Sequence, residues 1–178
     1  MRFDATLPLS APGVKAFTEV KSEAGEVTGY RDVMIKGYLS TFGNADRQGD
    51  IVKSGAFAET IPQFMSNPRL QVDHRNSAEY TVGSFTVVRE DAKGLYVEAK
   101  LSNSPAPLAT DMRYKVAEGH IGALSMGGFF HYEEDGRTIF KVQLYEGSLV
   151  AIPANPAALL SVRAVDESDD KVWASVEP

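Results

Sequence analysis

The chain contains no cysteine, one tryptophan and three histidines among 178 residues. Without cysteine there are no disulfide staples, thiol nucleophiles or thiolate metal sites, which suits a reducing cytoplasm. No apolar run approaches the ~20 residues of a membrane span, and the first residues hold no signal-peptide core. Positive charge is also scarce: 18 Lys and Arg against 24 Asp and Glu leave a net charge of -6. Neither nucleic acid nor an anionic membrane is therefore an expected partner. What remains is ordinary for a soluble globular protein, 43% hydrophobic and 24% charged. The length suits one domain with a core of its own.

Residues 1–26 carry Pro8, Pro12, Gly13 and Gly25 with no sustained period, which predicts a flexible N-terminal arm. Val33, Ile35, Gly37 and Leu39 then alternate with Met34, Lys36 and Tyr38, the period of a strand. Residues 42–50 are rich in turn formers. Asn44, Asp46 and Asp50 lack the alternate ligands and closing glutamate of a calcium loop, so turn chemistry is the better account. Ser54 is placed to cap a short helix with Phe57, Ile61 and Phe64 inside, shortened or broken at Pro62. Leu70 and Val72 share one face of a further strand, and His74 continues it.

Residues 81–88 and 95–101 give the clearest strand signal, joined by a turn over residues 91–94. Ser104-Pro105 opens a helix with Leu108, Met112 and Val116 four apart, closed by Gly119. A hairpin about Glu134-Asp135-Gly136 joins residues 129–133 to 138–144. Residues 149–152 read as an apolar strand buried on both sides, and a last helix begins near Pro156. Residues 165–178 are acidic and patternless, a mobile or docking tail holding the isolated Trp173. Several short antiparallel strands with about three helices indicate one α+β or β-barrel domain.

Ser125 stands in Gly122-Ala123-Leu124-Ser125-Met126-Gly127-Gly128, between apolar residues and two glycines. It has little reason there to cap a helix, and the glycines permit close approach of backbone or substrate. Residues 123–127 are similar to a nucleophile elbow, yet the serine–acid–histidine order of α/β-hydrolases is unavailable, since only His131 follows Ser125. Upstream, Val72-Asp73-His74-Arg75 offers a base; downstream, Tyr145-Glu146-Gly147-Ser148 offers an orienting acid. A triad would run His74, Ser125, Glu146, and triads are recognised by geometry rather than order. Each residue also has a plainer reading. His74 suits a satisfied core or edge histidine and Glu146 a solvent-facing strand carboxylate; Ser148, on the same strand face as Glu146, reads as a small packing residue. No HExxH-like pair links His74, His120 and His131, and Gly127-Gly128 lacks both the Walker lysine and dinucleotide spacing. Neither a metal nor a cofactor is expected.

Further stretches carry a resemblance: Gly37-Tyr38-Leu39-Ser40-Thr41-Phe42, Gly49-Asp50-Ile51-Val52 leading into Gly55-Ala56-Phe57, and Asp73-His74. They continue with Leu124-Ser125-Met126-Gly127, then Glu146-Gly147-Ser148-Leu149-Val150 and Pro153-Ala154-Asn155-Pro156-Ala157. In this order, over about residues 30–163, the chain resembles the tailed-phage prohead maturation serine proteases, a family similar in fold to herpesvirus assemblins. The resemblance implies an antiparallel β-barrel core of about six to seven strands surrounded by a few α-helices, with the protease domain at residues 27–164. It implies His74 as base, Ser125 as nucleophile and Glu146 as third member, where assemblins carry a second histidine. The implied activity is endoproteolysis of scaffold or major capsid protein segments, and of the chain itself, inside an assembling prohead in the host cytoplasm. A chain ending at Pro178 after an acidic tail then fits trimming beyond the protease domain. Activation of assemblins by dimerisation allows a homo-oligomer. Oxyanion donors would come from amides around Met126-Gly127 or from the Ala154-Asn155 turn, and the assemblin arrangement favours the turn. Two alternatives stay open: a non-catalytic scaffold or binding module on the same fold, and an esterase of small substrates, which the chain order disfavours.

Overall fold

The computed structural model describes residues 19–30 and 32–164. Among them, β1 (Glu19–Lys21) and β2 (Val27–Tyr30) form a two-stranded sheet across the boundary expected at residue 26. Residues 1–18 of the expected arm and the tail at 165–178 lie outside the described residues.

Eight strands build the main sheet: β3 (Val33–Thr41), β4 (Ile51–Val52), β5 (Arg69–Val72), β6 (Thr81–Glu90), β7 (Gly94–Leu101), β8 (Ala123–Tyr132), β9 (Thr138–Val150) and β10 (Leu160–Ala164). The order is β10-β3-β7-β6-β5-β9-β4, with β8 added to β9. β9 is the hub. It carries β8 antiparallel along one edge, and β5 and β4 in parallel along the opposite edge.

The α+β expectation holds, but the sheet does not close into a barrel, and it has eight strands rather than six or seven. The ladders end at β10 on one side and at β8 and the two-residue β4 on the other. β8 and β10 meet only near their starts, through the bridge Ala123–Leu159 and two flanking bonds, Leu124 N to Ala158 O at 2.9 Å and Leu160 N to Gly122 O at 3.1 Å. No ladder grows from that bridge, so the seam stays open.

Local chemistry accounts for most elements. Leu95, Val97, Ala99 and Leu101 are all buried, on the face their alternation predicts, with Val33, Ile35 and Leu39 also in the core. Each of the valine, leucine and isoleucine side chains contributes ~1.5–3 kcal/mol on burial. Asp91 Oδ1 accepts the N–H groups of Lys93 (2.8 Å) and Gly94 (3.0 Å), making the β6–β7 turn. Asp135 does the same between β8 and β9, accepting from Arg137 N (2.9 Å) and Thr138 N (2.8 Å). In the loop at residues 42–50, Asp46 Oδ1 accepts from Gln48 N and Asp50 N at 2.8 and 2.9 Å, the side-chain turn expected there.

The helices differ more from expectation. α2 (Pro107–Ala117) buries Met112 and Val116 as its spacing predicts and ends before Gly119, whose φ is 79°. α1 is only Ile61–Phe64; residues 55–60 form turns, so Ser54 caps no α-helix. The helix expected from Pro156 is absent. Asn155 accepts from Ala157 N through its side chain (3.0 Å) and from Ala158 N through its carbonyl (3.0 Å), and this tight turn delivers the chain into β10. There the free edge of β3 supplies the backbone partners a helix would have found within itself. Residues 149–150 close the long strand β9 rather than forming a separate one, and Ile152 beyond it is 76% exposed.

Candidate active site

β5 ends at Val72, and Asp73 N makes the last ladder-like bond, to Leu149 O of β9 at 3.1 Å. Asp73 and His74 then take φ values of 50° and 57°, a left-handed conformation that costs a residue with a side chain ~1–2 kcal/mol. The reading that His74 continues the Leu70–Val72 face is therefore replaced: the strand stops first, and a two-residue left-handed turn aims the imidazole. His74 N donates to Ser148 Oγ at 3.1 Å, and Arg75 N closes back to Val72 O at 3.1 Å.

That turn carries His74 Nδ1 to 2.7 Å from Glu146 Oε1. Glu146 is completely buried, not a solvent-facing strand carboxylate, while the His74 side chain keeps 42% of its surface exposed. The second carboxylate oxygen, Oε2, accepts from Ser148 Oγ at 2.6 Å. The hydrogen bond that His74 donates to Glu146 holds the imidazole above the ordinary histidine value of 6.5; burial opposes this, and the charges of Glu146 and Asp73 reinforce it.

The strand pairing explains the glycine two residues after the serine. Gly127 of β8 sits opposite Glu146 of β9, and Ser125 opposite Ser148. A methyl group on Gly127 would stand 2.1 Å from Glu146 Oε1. Gly127 thus leaves the space that the carboxylate occupies.

Ser125, 6% exposed, and His74 line one cleft of about 100 Å³, whose wall includes Asp46, Asp50, Met126, Ala154 and Asn155. The structure joins His74 to Glu146 directly and puts Ser125 on the wall that His74 also lines. With Nδ1 committed to the acid, Nε2 is the nitrogen left to take a proton. The other histidines stand elsewhere: exposed His120 lies 3.2 Å from Glu118, and His131 is flanked by Phe129 and Phe140, with ring centroids at 5.0 and 6.1 Å. Among the described residues no group of three His, Asp or Glu side chains is placed to hold a metal ion.

The side-chain bonds of two residues named in the sequence, Ser148 and Asn155, were not legible there. Ser148, which reads as filler, has both a donated and an accepted hydrogen bond; its one signal was the two-residue period that put it on the face of Glu146. Asn155, 7% exposed, donates to Thr41 Oγ1 at 3.0 Å and accepts from Asn44 Nδ2 at 3.2 Å, pinning the Ala154–Asn155 wall to the end of β3. No sequence period relates position 155 to positions 41 and 44.

The family model for the caudovirus prohead serine protease matches residues 18–171. The prohead protease of Enterobacteria phage HK97 is 30% identical over 141 residues, covering 75% of this chain and 61% of that protein. The chain therefore spans about three-fifths of the length of this relative. Among solved structures, the bacteriophage T4 capsid assembly protease superposes with a TM-score of 0.56 at 10% identity, over 76% of this chain and 89% of that one. The KSHV protease bound to a hexapeptide phosphonate inhibitor gives 0.52 at 10% identity, over 76% and 66%. At those identities the two structures speak for the fold alone.

Proposed function

Because the chain belongs to the caudovirus prohead serine protease family, we propose that it is a serine endopeptidase that cleaves scaffold or major capsid protein segments, and itself, during phage prohead maturation. It acts inside the assembling prohead within the host, with Ser125 as nucleophile, His74 as general base and Glu146 as the orienting acid. The observation that carries this reading is the 2.7 Å bond between His74 Nδ1 and the buried Glu146, made on the rim of a cleft that also holds Ser125.

In the proposed mechanism His74 Nε2 takes the Ser125 proton as Oγ attacks the scissile carbonyl, since an unassisted serine hydroxyl is a poor nucleophile. Glu146 fixes the imidazole tautomer and stabilises the imidazolium that forms. His74 then protonates the leaving amine, an acyl-enzyme results, and a water activated by the same imidazole releases the acid. Backbone amides of the Ala154–Asn155 turn serve as oxyanion donors, a role their place on the cleft wall supports; one such donor is worth ~3 kcal/mol of barrier.

The test replaces Ser125→Ala in a chain co-expressed with its capsid protein. Processing of the capsid protein is expected to stop, and a fluorophosphonate probe that labels the parent is expected to label neither Ser125→Ala nor His74→Ala. Undiminished cleavage by Ser125→Ala would remove that residue from the mechanism, and absence of labelling in the parent would favour a non-catalytic assembly module on this fold.

A further inference from the structure

We infer that Ser148 is a positioning residue, its single hydroxyl locking the His74 backbone and the Glu146 carboxylate into the arrangement in which imidazole and acid meet. The inference rests on the catalytic roles proposed above and adds a residue to them.

A serine hydroxyl has one proton to donate and lone pairs to accept with. Ser148 commits the proton to Glu146 Oε2 at 2.6 Å and accepts the His74 backbone N–H at 3.1 Å. Glu146 Oε1 in turn meets His74 Nδ1 at 2.7 Å. The three contacts close a ring: hydroxyl to carboxylate, carboxylate to imidazole, main chain of the same histidine back to hydroxyl. The terminal torsion of a glutamate is soft and broadly two-fold. Here each carboxylate oxygen has its own partner, so the carboxylate plane cannot turn without losing one. Both Glu146 and Ser148 have 0% exposure, so no bulk water stands ready to replace a lost donor.

The histidine side of the ring needs the same anchor. Asp73 and His74 are consecutive left-handed residues with side chains, a conformation that persists only where neighbouring bonds impose it. The backbone bonds that hold this turn are Asp73 N to Leu149 O, Arg75 N to Val72 O, and His74 N to Ser148 Oγ. Only the last comes from a side chain, and it alone ties the turn to the residue that also holds the acid. A residue that merely filled the space beside Ser125 would not need a hydroxyl.

The experiment uses the full chain carrying Ser125→Ala, so that self-cleavage is removed, and follows the His74 imidazole by NMR with and without Ser148→Ala. Two effects oppose one another. Losing the hydroxyl dipole leaves the carboxylate a stronger pull on the imidazole, whereas losing the anchor lets the imidazole drift from it. Positioning means that the second wins. The His74 pKa is expected to fall toward its ordinary 6.5 and the Nδ1–H signal to broaden away, with cooperative unfolding retained. An unchanged or higher His74 pKa overturns the inference. The other charges near the imidazole, Asp73 beside it and Asp46 and Asp50 on the cleft wall, are the same in both chains. In the active chain Ser148→Ala is expected to lower kcat about 10²-fold with KM unchanged, and to move the acid limb of the pH profile down; a KM effect with kcat intact also overturns it. Should Ser148→Ala fail to fold, Ser148→Cys, a somewhat larger side chain with only a weak S–H donor, takes the same measurements. The NMR result does not depend on turnover, so it is separate from the failure of the catalytic reading, which would appear as cleavage by Ser125→Ala.

Discussion

At the scale of single residues, the His74–Glu146 contact ties activity and stability to pH in opposite senses. The hydrogen bond donated to Glu146 raises the folded imidazole above its ordinary value. The stabilisation from protonated His74 is therefore fully present below about 6.5, the unfolded value, and is lost as pH rises through the higher folded value. In the proposed role of general base His74 works in its neutral form, so kcat/KM is expected to rise through that same folded value. The acid limb of the pH profile is expected above 6.5. Glu146→Gln removes the first and largest cause of the shift and disturbs the tautomer; the limb is expected to move down and kcat to drop about 10⁴-fold. A profile measured on both chains with a peptide from the proposed capsid-protein substrate checks this, and an acid limb that stays put would detach Glu146 from His74.

At the scale of elements, β8 and β9 are a single device for placing the acid. Their antiparallel register sets Ser125 across from Ser148 and Gly127 across from Glu146, and cross-strand partners share a face. The glycine is needed because the carboxylate lies where its side chain would be, 2.1 Å from a methyl at that position. Gly127→Ala is expected to push the Glu146 carboxylate away from the imidazole and cut kcat about 10²-fold, the scale of a 1 Å misplacement. KM is expected to hold, because Gly127 is not among the residues lining the cleft. Single-turnover cleavage by this variant at the parent rate would show that the carboxylate tolerates the methyl.

At the scale of the whole molecule, the cleft is assembled from segments far apart in the chain: the loop at residues 42–50, the turn after β5, the start of β8, and the Ala154–Asn155 turn before β10. Asn155 is the tie between the last and the first of these, bonded to Thr41 and Asn44. Asn155→Ala leaves buried polar groups of Thr41 without that partner and is expected to cost about 1–3 kcal/mol, read by urea unfolding. Activity is expected to fall as well, since the same turn forms the cleft wall. Full stability in that variant would place the burden on Asn44 alone.

How far residue order carried the reading follows from the range of each force. Alternation and turn chemistry act over a few residues, so the β6–β7 and β8–β9 hairpins, the body of α2 and the buried face of β7 were readable from Leu95, Val97, Asp91 and Asp135 directly. The candidate residues His74, Ser125 and Glu146 were nameable because motif order and a family resemblance marked them. The sequence alone determined those elements and that shortlist. Only the tertiary structure decided that the sheet stays open, that Pro156 leads to an edge strand of β3, that Ser148 is bonded rather than packed, and that a left-handed turn aims His74. Each of those depends on a partner dozens of residues away, and a free strand edge or a buried carboxylate exerts its pull only once the chain has brought the two together.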